Sequence, residues 1–173
     1  MKLCMIGTGY VGLVSGTCFA DIGNQVICVD KDKNKIDKLN SGVSPIYEPG
    51  LDELIKKNFI AKRLSFTSDI KQALNLCDII FICVGTPTKK GSTKVDLSYV
   101  LKCTKEIFKY TKRKKIIVTK STVPIGTGDE IEKILKKKKK LFTVISNPEF
   151  LREGEAIRDF RFPDRIVIGS NEK

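Results

Sequence analysis

Lys2-Leu3-Cys4-Met5-Ile6-Gly7-Thr8-Gly9-Tyr10-Val11-Gly12 is the stretch that decides the fold. Lys2 to Ile6 is short and apolar, as a buried strand would be, and it runs straight into a G-x-G-x-x-G. Small residues continue at helical spacing from Tyr10 to about Ile22, where Gly23 predicts the stop. A second apolar strand, Gln25 to Val29, ends on Asp30. Strand, glycine turn, helix, strand and acid, in that order, make up a dinucleotide-binding unit.

Each part has a physical task. Gly7 allows the tight turn out of the strand, Gly9 lets the backbone approach a pyrophosphate, and Gly12 lets the helix pack closely on the sheet. Open N–H groups at the helix start, around Tyr10 and Val11, then face phosphate oxygens, and the helix dipole adds attraction. Asp30 is placed to accept hydrogen bonds from the ribose hydroxyls, and its charge repels a 2′-phosphate, so NAD is expected rather than NADP. The same glycine spacing also occurs in turns that hold no ligand; the flanking strands and the acid favour the cofactor.

At 173 residues the chain is long enough for one domain with a real core, and 41% of it is hydrophobic. No apolar run approaches the ~18 residues of a membrane span, and no signal peptide precedes Met1-Lys2-Leu3, so a soluble, cytoplasmic protein is expected. The net charge is +12, much of the excess lying in Lys112-Arg113-Lys114-Lys115 and Lys136 to Lys140. Such runs can serve nucleic acid. Here no aromatic residues interleave to stack on bases, and both runs follow predicted helices, where cations suit the dipole. A solvated lysine face is the expectation, with a basic nucleic-acid-binding module the alternative. Six cysteines contain no C-x-x-C and fall mostly in predicted strands and helices, which reads as buried reduced thiols and no metal site. The absence of histidine excludes Ser-His-Asp and Cys-His machinery and imidazole ligands.

Beyond Asp30, apolar spacing predicts helices over Lys31 to Asn40 and about Leu51 to Phe59, joined by the loop Pro45-Ile46-Tyr47-Glu48-Pro49-Gly50. Lys35 lies one turn into the first, near where Asp30 would hold the ribose. Strands are predicted at Arg63 to Phe66, Asp78 to Val84, Lys115 to Thr119, Leu141 to Ser146 and Arg165 to Gly169. Between them come a helix opened by Ser68-Asp69, a long helix capped by Asp96, and a helix from Gly128 to about Lys138. Lys89 to Lys94 is polar and expected to be mobile. The alternation implies one domain over residues 1–173: an α/β, Rossmann-type, doubly wound, mostly parallel sheet with helices on both faces. Ligands of such sheets sit at the carboxyl ends of strands. That places Gly85-Thr86-Pro87 at the cofactor crevice, and the hydroxyls of Ser121-Thr122 near the nicotinamide or the reacting carbon.

Glu149-Phe150-Leu151-Arg152-Glu153-Gly154-Glu155-Ala156 begins just past a strand's carboxyl end. On a helix, Glu149 and Glu153 would share a face toward the crevice, where they could position a substrate hydroxyl or water and move a proton. A solvated helix paired with Arg152 and Arg158 fits the same spacing.

Gly7 to Gly12, Tyr47-Glu48-Pro49-Gly50-Leu51, Val84-Gly85-Thr86-Pro87, Lys120-Ser121-Thr122-Val123-Pro124 and Asn147-Pro148-Glu149-Phe150-Leu151-Arg152-Glu153-Gly154 follow in the order seen in nucleotide-sugar dehydrogenases. Over nearly its whole length the chain resembles the amino-terminal NAD-binding domain of the UDP-glucose/GDP-mannose dehydrogenase family. Asp159-Phe160 and Pro163 to Gly169 are more similar to the UDP-glucose branch than to the GDP-mannose or N-acetylmannosamine branches. The resemblance implies oxidation of the C6 alcohol of UDP-glucose to the carboxylate of UDP-glucuronate with two NAD⁺, by an enzyme that is a homodimer at full length. It implies that Val11, Asp30, Lys35, Thr86, Thr122 and Glu153 contact NAD, and that Glu149, Phe150, Leu151, Arg152 and Glu153 border the sugar nucleotide. Thr122 and Glu153 would assist water and proton handling as the catalytic residues of this half. The family's nucleophilic Cys and catalytic Lys motifs have no match here, so this chain is expected to bind NAD and to be inactive alone.

Overall fold

In the computed structural model the described residues are 1–89 and 91–171, with the side chain of Lys139 left aside. In chain order the elements are β1 (Lys2–Ile6), α1 (Tyr10–Asp21), β2 (Gln25–Val29), α2 (Lys33–Asn40), α3 (Leu51–Ile60), β3 (Leu64–Thr67) and α4 (Ile70–Leu76). They continue as β4 (Ile79–Ile82), α5 (Ser98–Tyr110), β5 (Lys115–Thr119), α6 (Thr127–Leu135), β6 (Phe142–Ser146), α7 (Ala156–Arg161) and β7 (Gly169–Ser170). The sheet order is β3-β2-β1-β4-β5-β6-β7, parallel throughout except for β7 against β6. The expected doubly wound sheet is what forms. Its order reverses direction between β1 and β4, which opens a crevice at their carboxyl ends.

The pleat explains the two-sided core. In β1, Leu3 and Met5 pack with Leu13, Val14 and Cys18 of α1, while Cys4 and Ile6 face Leu74 of α4 and Val100 and Ile107 of α5. Both sheet faces are covered, so β1 and β4 read as continuous apolar runs. Among the described residues no helix is long and apolar enough to cross a membrane.

Five expectations change. The 149–155 segment is irregular and α7 starts only at Ala156, so Glu149 and Glu153 do not share a helical face. Gly154, at φ +88, interrupts any helix there. The last strand shrinks to Gly169–Ser170, with Ile166 and Ile168 exposed at 69% and 68%. Asp96 does not cap α5; its carboxylate accepts the Ser98 N–H across two residues, and Leu97 stands at the helix boundary. The ends of the 89–94 stretch are tied together, with Thr88 bridging Val95 and the Lys89 N–H reaching the Lys94 carbonyl; Lys90 lies outside the described residues. Finally, the lysine runs are not wholly solvated. Lys115 is 3% exposed with its ammonium on the Cys77 carbonyl, and burial pushes its pKa down. Lys138 donates to the Phe108 and Thr111 carbonyls at the end of α5, the pole that attracts a cation.

Candidate functional site

The glycine turn lies at the reversal point. Gly7 has φ +105, and a Cβ there would stand 2.6 Å from the Cys83 carbonyl oxygen, so the turn abuts the end of β4. A Cβ on Gly12 would lie 1.9 Å from the Gly7 oxygen, which makes α1 and its own turn a single packed unit. Above Gly9 there is open space: its Cβ would meet nothing within 4 Å. No described side chain caps α1, and no acid lies in its first turn. Its leading N–H groups therefore remain available beside that opening.

Asp30 closes the other side. Its Oδ2 accepts the Thr8 N–H at 2.9 Å and the Thr8 hydroxyl at 2.8 Å, and its Oδ1 accepts the Asp32 N–H at 3.0 Å. Burial raises the Asp30 carboxyl, but those N–H groups, the Thr8 hydroxyl and the charge of Lys35 outweigh it and hold the group below its ordinary value. Asp30 is thus a fixed anion bonded to the turn itself, with acceptor capacity left at Oδ1. Lys35 sits half-buried in the first turn of α2, where Asp32 rather than any residue singled out in the sequence supplies the cap. An open backbone cradle at a helix start and an ionised acid beside it fit a dinucleotide diphosphate and its ribose.

The ends of β4 and β5 form the crevice's second wall. The Thr86 hydroxyl donates to the Thr122 carbonyl at 2.8 Å, and the Ser121 hydroxyl donates to the Val84 carbonyl at 2.7 Å. Ser121 is 6% exposed, so its hydroxyl stitches the two strand ends together. Gly85, Pro87 and Thr122 are exposed along the same wall. Lys120, 7% exposed, reaches the Asn147 side-chain oxygen at 3.3 Å, and burial pushes its pKa down.

The 149–155 loop runs past the end of β6 and back over α1. Glu149 accepts the Leu151 N–H at 2.6 Å, and Leu151 packs on the same core cluster as Tyr10 and Val11. Arg152 pairs with Asp159 at 2.6 Å, Phe150 is 49% exposed with the Arg165 guanidinium 4.9 Å from its ring centroid, and Glu153 is exposed. Among the described residues Glu149 and Glu153 pair with neither Arg152 nor Arg158; the pairs are Arg152–Asp159 and Arg158–Glu155. Sequence reasoning gave no role to Glu48. It is 5% exposed and accepts the Tyr10 hydroxyl, the Gly154 N–H at 2.8 Å and the Ala156 N–H at 2.9 Å. Only its place in the Tyr47 to Leu51 motif marked it.

All six thiols are buried and free. Burial pushes Cys83, which lies nearest the crevice, up to about 12, and Cys77 up to about 11. Neither is a thiolate near neutral pH. The described residues can hold and orient a dinucleotide and present carboxylates and hydroxyls to a second ligand, and none of the six buried thiols is an activated nucleophile.

Residues 1–173 match the model of the UDP-glucose/GDP-mannose dehydrogenase family, NAD binding domain. Over 171 residues the chain is 56% identical to the UDP-glucose 6-dehydrogenase of Rhizobium meliloti (strain 1021), covering 98% of this chain and 39% of that protein. A ternary complex of GDP-mannose dehydrogenase from Pseudomonas aeruginosa superposes with a TM-score of 0.94 at 39% identity, over 99% of this chain and 41% of that one. A UDP-glucose dehydrogenase from Pyrobaculum islandicum gives 0.92 at 38%, over 98% and 40%. The chain therefore spans about two fifths of the length of these relatives.

Proposed function

Since this chain belongs to the UDP-glucose/GDP-mannose dehydrogenase family as its NAD-binding domain, we propose that it is the cofactor half of a UDP-glucose 6-dehydrogenase. The observation that carries the reading is the seat itself: an open backbone turn at an uncapped helix start, hydrogen-bonded through Thr8 to an ionised Asp30. Gly7, Gly9, Tyr10, Val11 and Gly12 take the diphosphate; Asp30 and Lys35 take the adenosine ribose. Gly85, Thr86, Pro87, Ser121 and Thr122 line the nicotinamide side, Ser121 by holding the wall in place. NAD supplies the hydride acceptor. Glu149, Phe150, Leu151, Arg152 and Glu153 border the sugar nucleotide, and Thr122 and Glu153 orient water and hold a proton near the reacting carbon.

UDP-glucose is favoured as substrate by the UDP-glucose 6-dehydrogenases among the similar proteins. All six thiols are buried, and burial keeps Cys77 and Cys83 protonated near neutral pH, so neither serves as the nucleophile that the family resemblance implies; that nucleophile is assigned to the part of the complete enzyme outside these residues. The complete enzyme is read as a cytoplasmic homodimer. Fluorescence titration of the 173-residue chain with NADH and NADPH tests the cofactor half of the proposal. NADH binding at least about tenfold tighter than NADPH, with no NADH formed from NAD⁺ and UDP-glucose, is expected. Absent NADH binding in a folded sample, or turnover by the chain alone, contradicts it. Assaying the complete enzyme with UDP-glucose, GDP-mannose and UDP-N-acetylmannosamine decides the sugar: the greatest activity on UDP-glucose is expected.

A further inference from the structure

Glu48 is a buried carboxylate with no part in the site as read so far. It stands in the loop just ahead of α3, yet its hydrogen bonds go to residues far away along the chain. One oxygen accepts the Gly154 N–H and the Tyr10 hydroxyl, and the other accepts the Ala156 N–H. The Tyr10 oxygen also accepts the Gly154 N–H at 3.0 Å. Burial and the bond to Glu48 push the Tyr10 hydroxyl up to about 12, so it remains a donor across the physiological range. Tyr10 is also the first residue of α1, the helix whose open start forms the dinucleotide seat.

These bonds join three pieces that sequence keeps apart: the seat, the loop before α3, and the segment that carries Glu149 and Glu153. A carboxylate suits the junction because it is acceptor-only, and three donors converge on it. We propose that Glu48, acting with Tyr10, is a positioning residue that fixes the 149–155 backbone against the dinucleotide turn, so that filling the seat also stiffens the loop bordering the second ligand. The inference rests on the cofactor reading above for its coupling, but the positioning itself does not.

Amide hydrogen exchange on the 173-residue chain, with and without saturating NADH, tests it, with NADH binding followed separately by fluorescence. In the wild type, NADH slows exchange at Gly154 and Ala156 by about tenfold. Glu48→Gln presents one acceptor and one amino group where two acceptors are needed. Without cofactor it speeds exchange at both amides by about tenfold while Leu13 in α1 keeps its rate, and NADH no longer slows either amide. Tyr10→Phe speeds Gly154 and leaves Ala156 unchanged. Unaltered exchange at both amides in folded Glu48→Gln overturns the proposal, as does NADH that binds the wild type without slowing them. If Glu48→Gln does not fold, Tyr10→Phe decides, and an unaltered Gly154 rate overturns the proposal. If NADH does not bind at all, the cofactor reading falls, and the cofactor-free comparison still decides the positioning.

Discussion

At the scale of single residues, a few positions in the turn leave no room for any other side chain. Gly12 is one: a methyl group there would lie 1.9 Å from the Gly7 oxygen. Gly12→Ala should cost about 2–3 kcal/mol in urea unfolding and abolish NADH binding, because α1 must move off its turn. Asp30→Asn keeps the shape but removes the charge that repels a 2′-phosphate, so the preference for NADH over NADPH should fall to within about threefold in paired titrations. Asp21 is a structural counterpart. Lys57, 2.7 Å away, does most to hold its carboxyl below the ordinary value; burial opposes, and Asn58 and Arg161 assist. A carboxyl with a depressed folded-state pKa stabilises the fold above its unfolded value of ~3.9, and loses that contribution as pH falls through the folded value. Asp21→Asn should therefore cost about 1 kcal/mol at pH 7, and its deficit should close in unfolding titrations as the pH falls below ~3.9 and through the folded value. The glycines and Asp30 were legible from spacing alone. Glu48 and Asp21 were not, because their partners lie 36 or more positions away and no local pattern encodes such a meeting.

At the scale of elements, apolar runs and glycine stops located the six parallel strands to within a few residues, since burial on both faces writes a continuous signal. The failures cluster at the carboxyl end. The 149–155 segment has acids at helical spacing, but its conformation follows from where Gly154 and Ala156 find an acceptor, and that acceptor is Glu48. Arg165 to Gly169 has the composition of a strand, yet among the described residues of this tail only Gly169–Ser170 finds a partner on β6. Short α7 is held by packing. Phe160 meets Phe19 edge-on at 4.9 Å, and Arg161 reaches Asp21 at 2.8 Å. Phe160→Ala should cost about 2 kcal/mol in urea unfolding, below the figure for a fully buried ring because Phe160 is half-buried.

At the scale of the whole molecule, charge and architecture separate. The charge of +12 suggests a polyanion partner, but Lys115 and Lys138 of the two runs serve carbonyls inside the fold. Duplex DNA at about 0.15 M salt should show no binding tighter than about 10⁻⁴ M by fluorescence anisotropy. The crevice, by contrast, is built from the ends of separate parallel strands, so its place was legible once the alternation of strands and helices was read. The sugar of the proposed activity was not legible from the fold, since GDP-mannose and UDP-glucose dehydrogenases superpose almost equally well on this chain. Where the coenzyme lies is tested most directly by titrating a nitrogen-15-labelled chain with NADH. The largest amide shifts should fall on residues 8–12 and on Asp32, whose N–H is bonded to Asp30. Shifts centred instead on the cleft that Glu132, Leu135, Phe142 and Val144 line between α6 and β6, with residues 8–12 unmoved, would contradict that placement.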